Sequence, residues 1–251
     1  MNVEPPAVGG ATTPGPFLGW RLWKWAPVPT LVTKNLVLLD VIERAVVLTL
    51  FLYFANRLLP RLAGLISAEI THPELLWLAA SKNIDAALLV TSESLGIFLI
   101  LTRRFSNTVS THPLDWALSF MAVNAPLLAV PAAPSTFIPA QLATTLMFAG
   151  MIIQISAKTA LWRSYGLIPA NRGVKMSGPY RFLRHPMYAG YTLTHIGFLL
   201  GFPSLRNFVL YLTVFFIEVA RLLREELILN QDPFYRDYAT RVHSRLIPGV
   251  F

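Results

Sequence analysis

Residues 186–229 read PMYAGYTLTHIGFLLGFPSLRNFVLYLTVFFIEVARLLREELIL, two apolar runs joined by Gly201-Phe202-Pro203-Ser204. The first run begins at Pro186, a residue suited to the opening turn of a helix, and reaches about Phe202. The second runs from about Leu205 into Arg224. Each run approaches the roughly 20 residues that a helix needs to cross a hydrocarbon core. Four residues between them leave room only for a tight antiparallel hairpin. The residues before Pro186 are therefore expected beside those after Ala220, on one face of a membrane.

The rest of the chain reads the same way. Of 251 residues, 54% are hydrophobic and 14% charged, and the mean hydropathy is +0.53. Soluble domains carry about a quarter charged residues, so this chain lacks material for a wetted surface. Apolar runs at about 36–59, 84–102, 114–131 and 137–162 precede the hairpin, and together they predict an all-α, multi-pass transmembrane bundle of about six spans. Asp40, Glu43 and Arg44 lie in the first run at helical i,i+3 and i,i+4 spacing. They are either functional intramembrane charges or a self-neutralising cluster at the interface.

The net charge of +8 reads as topology rather than nucleic-acid binding, because lysine and arginine concentrate in cytoplasmic loops. Residues 163–184 hold Arg163, Arg172, Lys175, Arg181 and Arg184 and no acid, whereas 132–136 carry no charge. That contrast puts the 163–184 loop and both termini in the cytoplasm, at the inner membrane if the cell is bacterial; Arg57, Arg61 and Lys82 fall on the other side. Residues 1–35 read as a flexible tail with an interfacial anchor of Trp20, Trp23 and Trp25, and not as a signal peptide, since Pro and Gly interrupt any apolar core. Residues 36–135 carry N-terminal helices of unassigned role, and 136–251 the region where chemistry concentrates. There is no cysteine, which excludes disulfides and thiolate chemistry, and with no paired-histidine motif no metal site is expected.

The dense stretch is Ser177-Gly-Pro-Tyr-Arg-Phe-Leu-Arg-His-Pro-Met-Tyr-Ala-Gly190, and across the hairpin from it lies Arg221-Leu-Leu-Arg-Glu-Glu-Leu-Ile-Leu229. Arg221 and Glu225 share one helical face, while Glu226 turns away by about 100°. Aromatic faces, a carboxylate and several donors in one corner suit a small zwitterionic ligand, without singling one out. His-Pro alone says little, because His72-Pro73 and His112-Pro113 follow threonines as ordinary helix starts do. The flanks of His185-Pro186 distinguish it.

Gly178-Pro-Tyr-x-x-x-Arg-His-Pro-x-Tyr-x-Gly190, followed by a span and then Glu225-Glu226-x-x-Leu229, resembles the isoprenylcysteine carboxyl methyltransferase family, and the related membrane phospholipid N-methyltransferases end similarly. The closing Phe234–Pro248 segment also resembles that family's tail, so the likeness covers roughly residues 160–250. It departs at Asp232-Pro233-Phe234 and at His243, where that family has Phe-Gly and proline. The resemblance implies S-adenosylmethionine in a cytoplasmic pocket under the last hairpin. Carried over by position, the cofactor residues are Tyr180, His185, Pro186, Met187, Tyr188 and Glu225, with Arg172-Gly173-Val174-Lys175 as a contacting loop. Arg221 matches the arginine that holds a substrate carboxylate.

The expected activity is methyl transfer to an amphiphilic acceptor drawn from the bilayer. A carboxylate acceptor needs no general base. An amine, phenol or thiol would, and Glu226 or His185 is the candidate. The alternatives are phospholipid N-, quinone-like O- or small-thiol S-methylation, or a non-catalytic membrane scaffold. Arg221 also reads as a snorkelling interfacial residue, Glu225-Glu226 as a solvated helix end, and His195 as a hydrogen-bonded core histidine. Nucleic acid is not an expected partner, and the oligomeric state is not legible.

Overall fold

The computed structural model describes residues 36–71, 90–106, 108–130 and 133–251. The N-terminal tail, its tryptophan anchor, His72-Pro73 and the start of the second apolar run lie outside the described residues. Seven α-helices form within them: α1 (Leu36–Thr71), α2 (Val90–Thr102), α3 (Pro113–Asn124), α4 (Ala140–Leu161), α5 (Pro186–Gly201), α6 (Leu205–Leu229) and α7 (Pro233–Arg241). Each expected apolar run forms a helix over most of its described length, and the described residues are all-α apart from a single bridge between Val109 and Ala170.

Boundaries differ from the sequence reading for local reasons. The first helix runs on to Thr71 rather than ending near 59. The third stops at Asn124 and tightens into a 3-10 turn over Ala125–Leu128, because Pro126 supplies no N–H to the ladder. His112 caps α3, its Nδ1 accepting from the Leu114 N–H at 3.2 Å, as a His-Pro helix start should.

One helix among those described, Ala140–Ser164, is long and apolar enough by itself to cross a membrane. The count of six spans is thus not established among the described residues. Helices α1 and α6 carry Asp40, Glu43 and Arg44, and Glu218, Arg221, Arg224, Glu225 and Glu226. Most of these charges are turned inward and paired. Glu43 and Arg103 are 1% and 4% exposed, with Arg103 Nη1 on Glu43 Oε1 at 2.5 Å. Arg224 Nε meets Asp115 Oδ1 at 2.5 Å and clasps α6 to α3. Outward, α1 shows Val37, Leu38, Val41 and Leu52, and α6 shows Phe208, Val209 and Phe216, each more than half exposed. The charges hold the helices together and the apolar faces look out.

The hairpin forms as expected, with Ser204 capping α6 through the Asn207 N–H at 3.1 Å. Its first arm, however, lies chiefly along α4 rather than along α6. Glycines allow that approach: a Cβ at Gly190 would stand 2.7 Å from the Gln154 nitrogen and the Gly150 carbonyl. The polar ends of α5 and α6 still converge, and two core clusters fill the space around them. One is built on Ile100, Leu167 and Ile168, the other on Ala157, Tyr180, Tyr188 and Leu222.

Candidate active site

The corner beneath α5 begins at Gly178, whose φ of 61° is open to glycine at little steric cost. Pro179 then starts a 3-10 turn over Gly178–Arg181 that turns Tyr180 inward, 7% exposed. The C-terminal segment holds this corner from outside. Tyr238 on α7 donates its hydroxyl hydrogen to the Tyr180 carbonyl at 2.6 Å. The Arg184 and His185 N–H groups donate to the Ser244 and Arg245 carbonyls, both at 2.9 Å. Asp232, one of the departures noted in the sequence, caps α7 by accepting from the Phe234 N–H and accepts from Asn171 Nδ2 at 2.7 Å. It ties the tail to the loop before Arg172.

These elements enclose a cleft of about 740 Å³, its open mouth included. Tyr180, His185, Met187, Tyr188 and Glu225 line it from the corner and α6, and Arg172, Gly173, Val174 and Lys175 line it from the loop. The Tyr188 hydroxyl donates to Glu225 Oε2 at 3.0 Å across the hairpin. Tyr235 and Tyr238 also line the cleft; the family-like tail was noticed in the sequence, but nothing in it pointed to these two as lining residues. Pro186 does not line it. It is buried at the first turn of α5, so its part is to start the helix.

Glu226 lies elsewhere and does something else. It is 2% exposed and collects Arg184 Nη1 at 2.8 Å, Arg245 Nε at 2.7 Å and His185 Nε2 at 3.2 Å, with the Tyr235 hydroxyl at 3.2 Å. Burial alone would raise its carboxyl. The hydrogen bond and charge of His185, then Arg184 and Arg245, hold it down to about 2. A carboxylate so held is a poor proton acceptor, and Glu226 does not line the cleft. Glu226 instead locks the motif corner, the helix end and the tail together.

Arg172 is the cleft's unsettled cation. It is 7% exposed, and its Nε and Nη2 make no hydrogen bond. Nη1 donates to the Ile168 carbonyl at 3.3 Å. Burial first, and the charge of Arg103 second, push it down to about 10, with Glu43 opposing at 3.5 Å. Glu43 also accepts from the N–H groups of Leu167 and Ile168 at 2.8 and 3.0 Å. Sequence spacing paired Glu43 with its own helix. Its partners are Arg103 and the cleft loop, while Asp40 takes both Arg44 and Arg103.

Arg221 lines a second, larger chamber of about 1340 Å³, its open part included, rather than the cleft. Its guanidinium stands 5.4 Å from the centre of the Tyr188 ring, and Nη2 donates to the Leu167 carbonyl at 2.6 Å. Leu167 lines both spaces. Tyr188, Arg221 and Leu167 thus form the partition. The chamber's walls are mostly apolar, with Val47, Leu50 and Phe51 from α1, Ile97 from α2 and Val123 from α3. His195 lines it too and stacks on Tyr211 at 4.5 Å.

Residues 138–232 match the family model described as phospholipid methyltransferase. This segment is a phospholipid methyltransferase domain. No curated protein matches the chain. The match runs from the approach to α4 through the end of α6. It contains the motif corner, the Glu225-Glu226 pair and Arg221. Outside it lie α1–α3, which wall the second chamber, and α7, which closes the cleft.

Proposed function

We propose that the protein is a multi-pass membrane enzyme that binds S-adenosylmethionine in the polar cleft and methylates an amphiphile held in the apolar chamber. The observation that carries this reading is the shared partition: a small polar cleft and a large apolar chamber abut at Tyr188 and Arg221. Methyl transfer is an in-line displacement, in which alignment of two reactants in a dry space provides most of the rate. A bilayer-derived acceptor needs apolar walls, and a zwitterionic donor needs paired charges. The two spaces divide those requirements.

The residues of the cleft fit the donor. Glu225 supplies a carboxylate for an ammonium, and Arg172 supplies buried N–H groups without acceptors for a carboxylate. Tyr180, Tyr188 and Tyr235 supply aromatic faces for a sulfonium or an adenine. S-adenosylmethionine, when bound, contributes an electrophilic methyl group on a positively charged sulfur. Arg221 orients an oxygen-bearing acceptor head toward the partition, and Tyr188 fixes the Glu225 carboxylate beside it. A carboxylate head, as in isoprenylcysteine carboxyl methylation, arrives ionised and gives up no proton. The exposed apolar faces of α1 and α6 support lipid contact on several helices, and the basic loop 163–184 supports a cytoplasmic cleft.

The test is transfer of labelled methyl from S-adenosylmethionine to extracted lipids, with Glu225→Ala as control. Label released as methanol by mild alkali identifies a methyl ester; label that stays identifies an N-, S- or ether-linked product. A wild-type protein that neither binds the cofactor nor transfers the methyl would favour the scaffold instead.

A further inference from the structure

The apolar chamber holds two buried polar atoms without a hydrogen-bond partner among the described residues. Glu218, midway along α6, is 4% exposed, and its Oε2 makes no hydrogen bond. One turn later Arg221 is 5% exposed; its Nε likewise makes none, although Nη2 reaches Leu167. Both side chains line the chamber. Residues three apart on a helix are neighbours, with Cβ atoms about 5–6 Å apart. Three other polar side chains of the chamber have partners. Gln154 Oε1 accepts from the Ser92 hydroxyl at 3.2 Å, Glu93 pairs with Lys158 at 3.3 Å, and Thr194 donates to the Gly190 carbonyl at 2.9 Å. Buried polar groups are nearly always matched, so an unmatched acid and an unmatched N–H facing one cavity mark a place for a ligand.

The pairing restricts that ligand's chemistry. Glu218 and Arg221 stand one turn apart on α6 and line the same chamber, so any guest head there meets an acid and a guanidinium together. A carboxylate head accepts from Arg221 but sets a second acid against Glu218. An ammonium suits Glu218 but crowds the guanidinium. A hydroxyl both donates and accepts, so it serves Glu218 in either protonation state and also accepts the Arg221 Nε–H. We propose that the chamber selects neutral amphiphiles bearing a hydroxyl group, phenolic or alcoholic, held between Glu218 and Arg221. This rests on the reading of the chamber as the acceptor site. It makes Glu218 a specificity residue for the acceptor rather than part of the cofactor site.

The test uses the full-length protein in lipid nanodiscs and two radiolabelled probes, 4-decylphenol and decylbenzene, which differ by one hydroxyl. Empty discs are subtracted, and S-adenosylmethionine binding is titrated in parallel. The wild type should bind the phenol at least tenfold more tightly than the hydrocarbon. Glu218→Leu should bring that ratio within threefold while leaving cofactor affinity unchanged, and Glu218→Gln, which keeps an acceptor and a donor, should retain most of it. Equal binding of the two probes by the wild type, or a ratio undiminished in a folded Glu218→Leu protein, overturns the proposal. If Glu218→Leu does not fold, the wild-type ratio decides. Loss of cofactor binding in the wild type with the phenol preference intact would sink the methyltransferase reading and spare this one.

Discussion

At the scale of single residues, the two adjacent acids of α6 have opposite tasks. Glu225 faces the cleft and accepts one hydrogen bond, from Tyr188. Glu226, a 100° turn away, is consumed by two arginines, a histidine and a tyrosine. Glu225→Ala should therefore weaken S-adenosylmethionine binding at least tenfold with little change in melting temperature. Tyr188→Phe, which removes one hydrogen bond worth about 1 kcal/mol, should weaken it several-fold; titration calorimetry separates the two. Glu226→Gln should reverse the pattern, with stability falling before affinity does. Its carboxyl titrates near 2 in the folded protein against an ordinary 4.5, a gap worth roughly 3 kcal/mol. The sign follows from the lowered pKa: the contribution is complete above about 4.5 and is lost as pH falls toward 2. Melting curves at pH 7 and pH 3 should show a smaller acid-induced drop in Glu226→Gln than in the wild type.

At the scale of elements, α4 and α5 touch through backbone rather than side chains. Gly190 sits against Gly150 and Gln154, and a Cβ at Gly197 would stand 2.7 Å from the Met147 nitrogen. Gly190→Val should force the helices apart and lower thermal stability by an amount typical of an overpacked core, about 1–3 kcal/mol, while Ala189→Val, one position earlier and half-buried, should cost less. Comparing the two melts tests whether close approach is the cause. Glycine spacing in the sequence hinted at nothing so specific, because Gly150 and Gly190 lie on different helices and only packing pairs them. The hairpin was legible, since so short a connection, three residues between the helices, allows no other course. That its first arm would rest on α4 was not, because the choice of neighbour depends on surfaces far apart in the chain.

Across the whole molecule, α1 reaches the cleft without lining it. Glu43 holds Arg103 and the Leu167 and Ile168 N–H groups, and it stands 3.5 Å from Arg172. Removing one partner of a buried ion pair leaves the other uncompensated, so Glu43→Gln should loosen the cleft loop. The expected result is a cofactor affinity reduced about tenfold with unchanged helical circular dichroism; an unaltered affinity would confine Glu43 to packing. Composition, hydropathy and one hairpin determined the all-α class, and the spacing of Tyr180, His185, Tyr188 and Glu225 was enough to assemble the cleft. Those are local matters, set by periodicity and by a connection too short to permit alternatives. Only the tertiary structure decided that Glu226 is a clamp, that Glu43 serves the cleft loop, that the tail closes the site, and that Arg221 and Glu218 face a separate chamber. Each of these depends on which distant side chain a buried charge finds, and sequence separation carries no record of that.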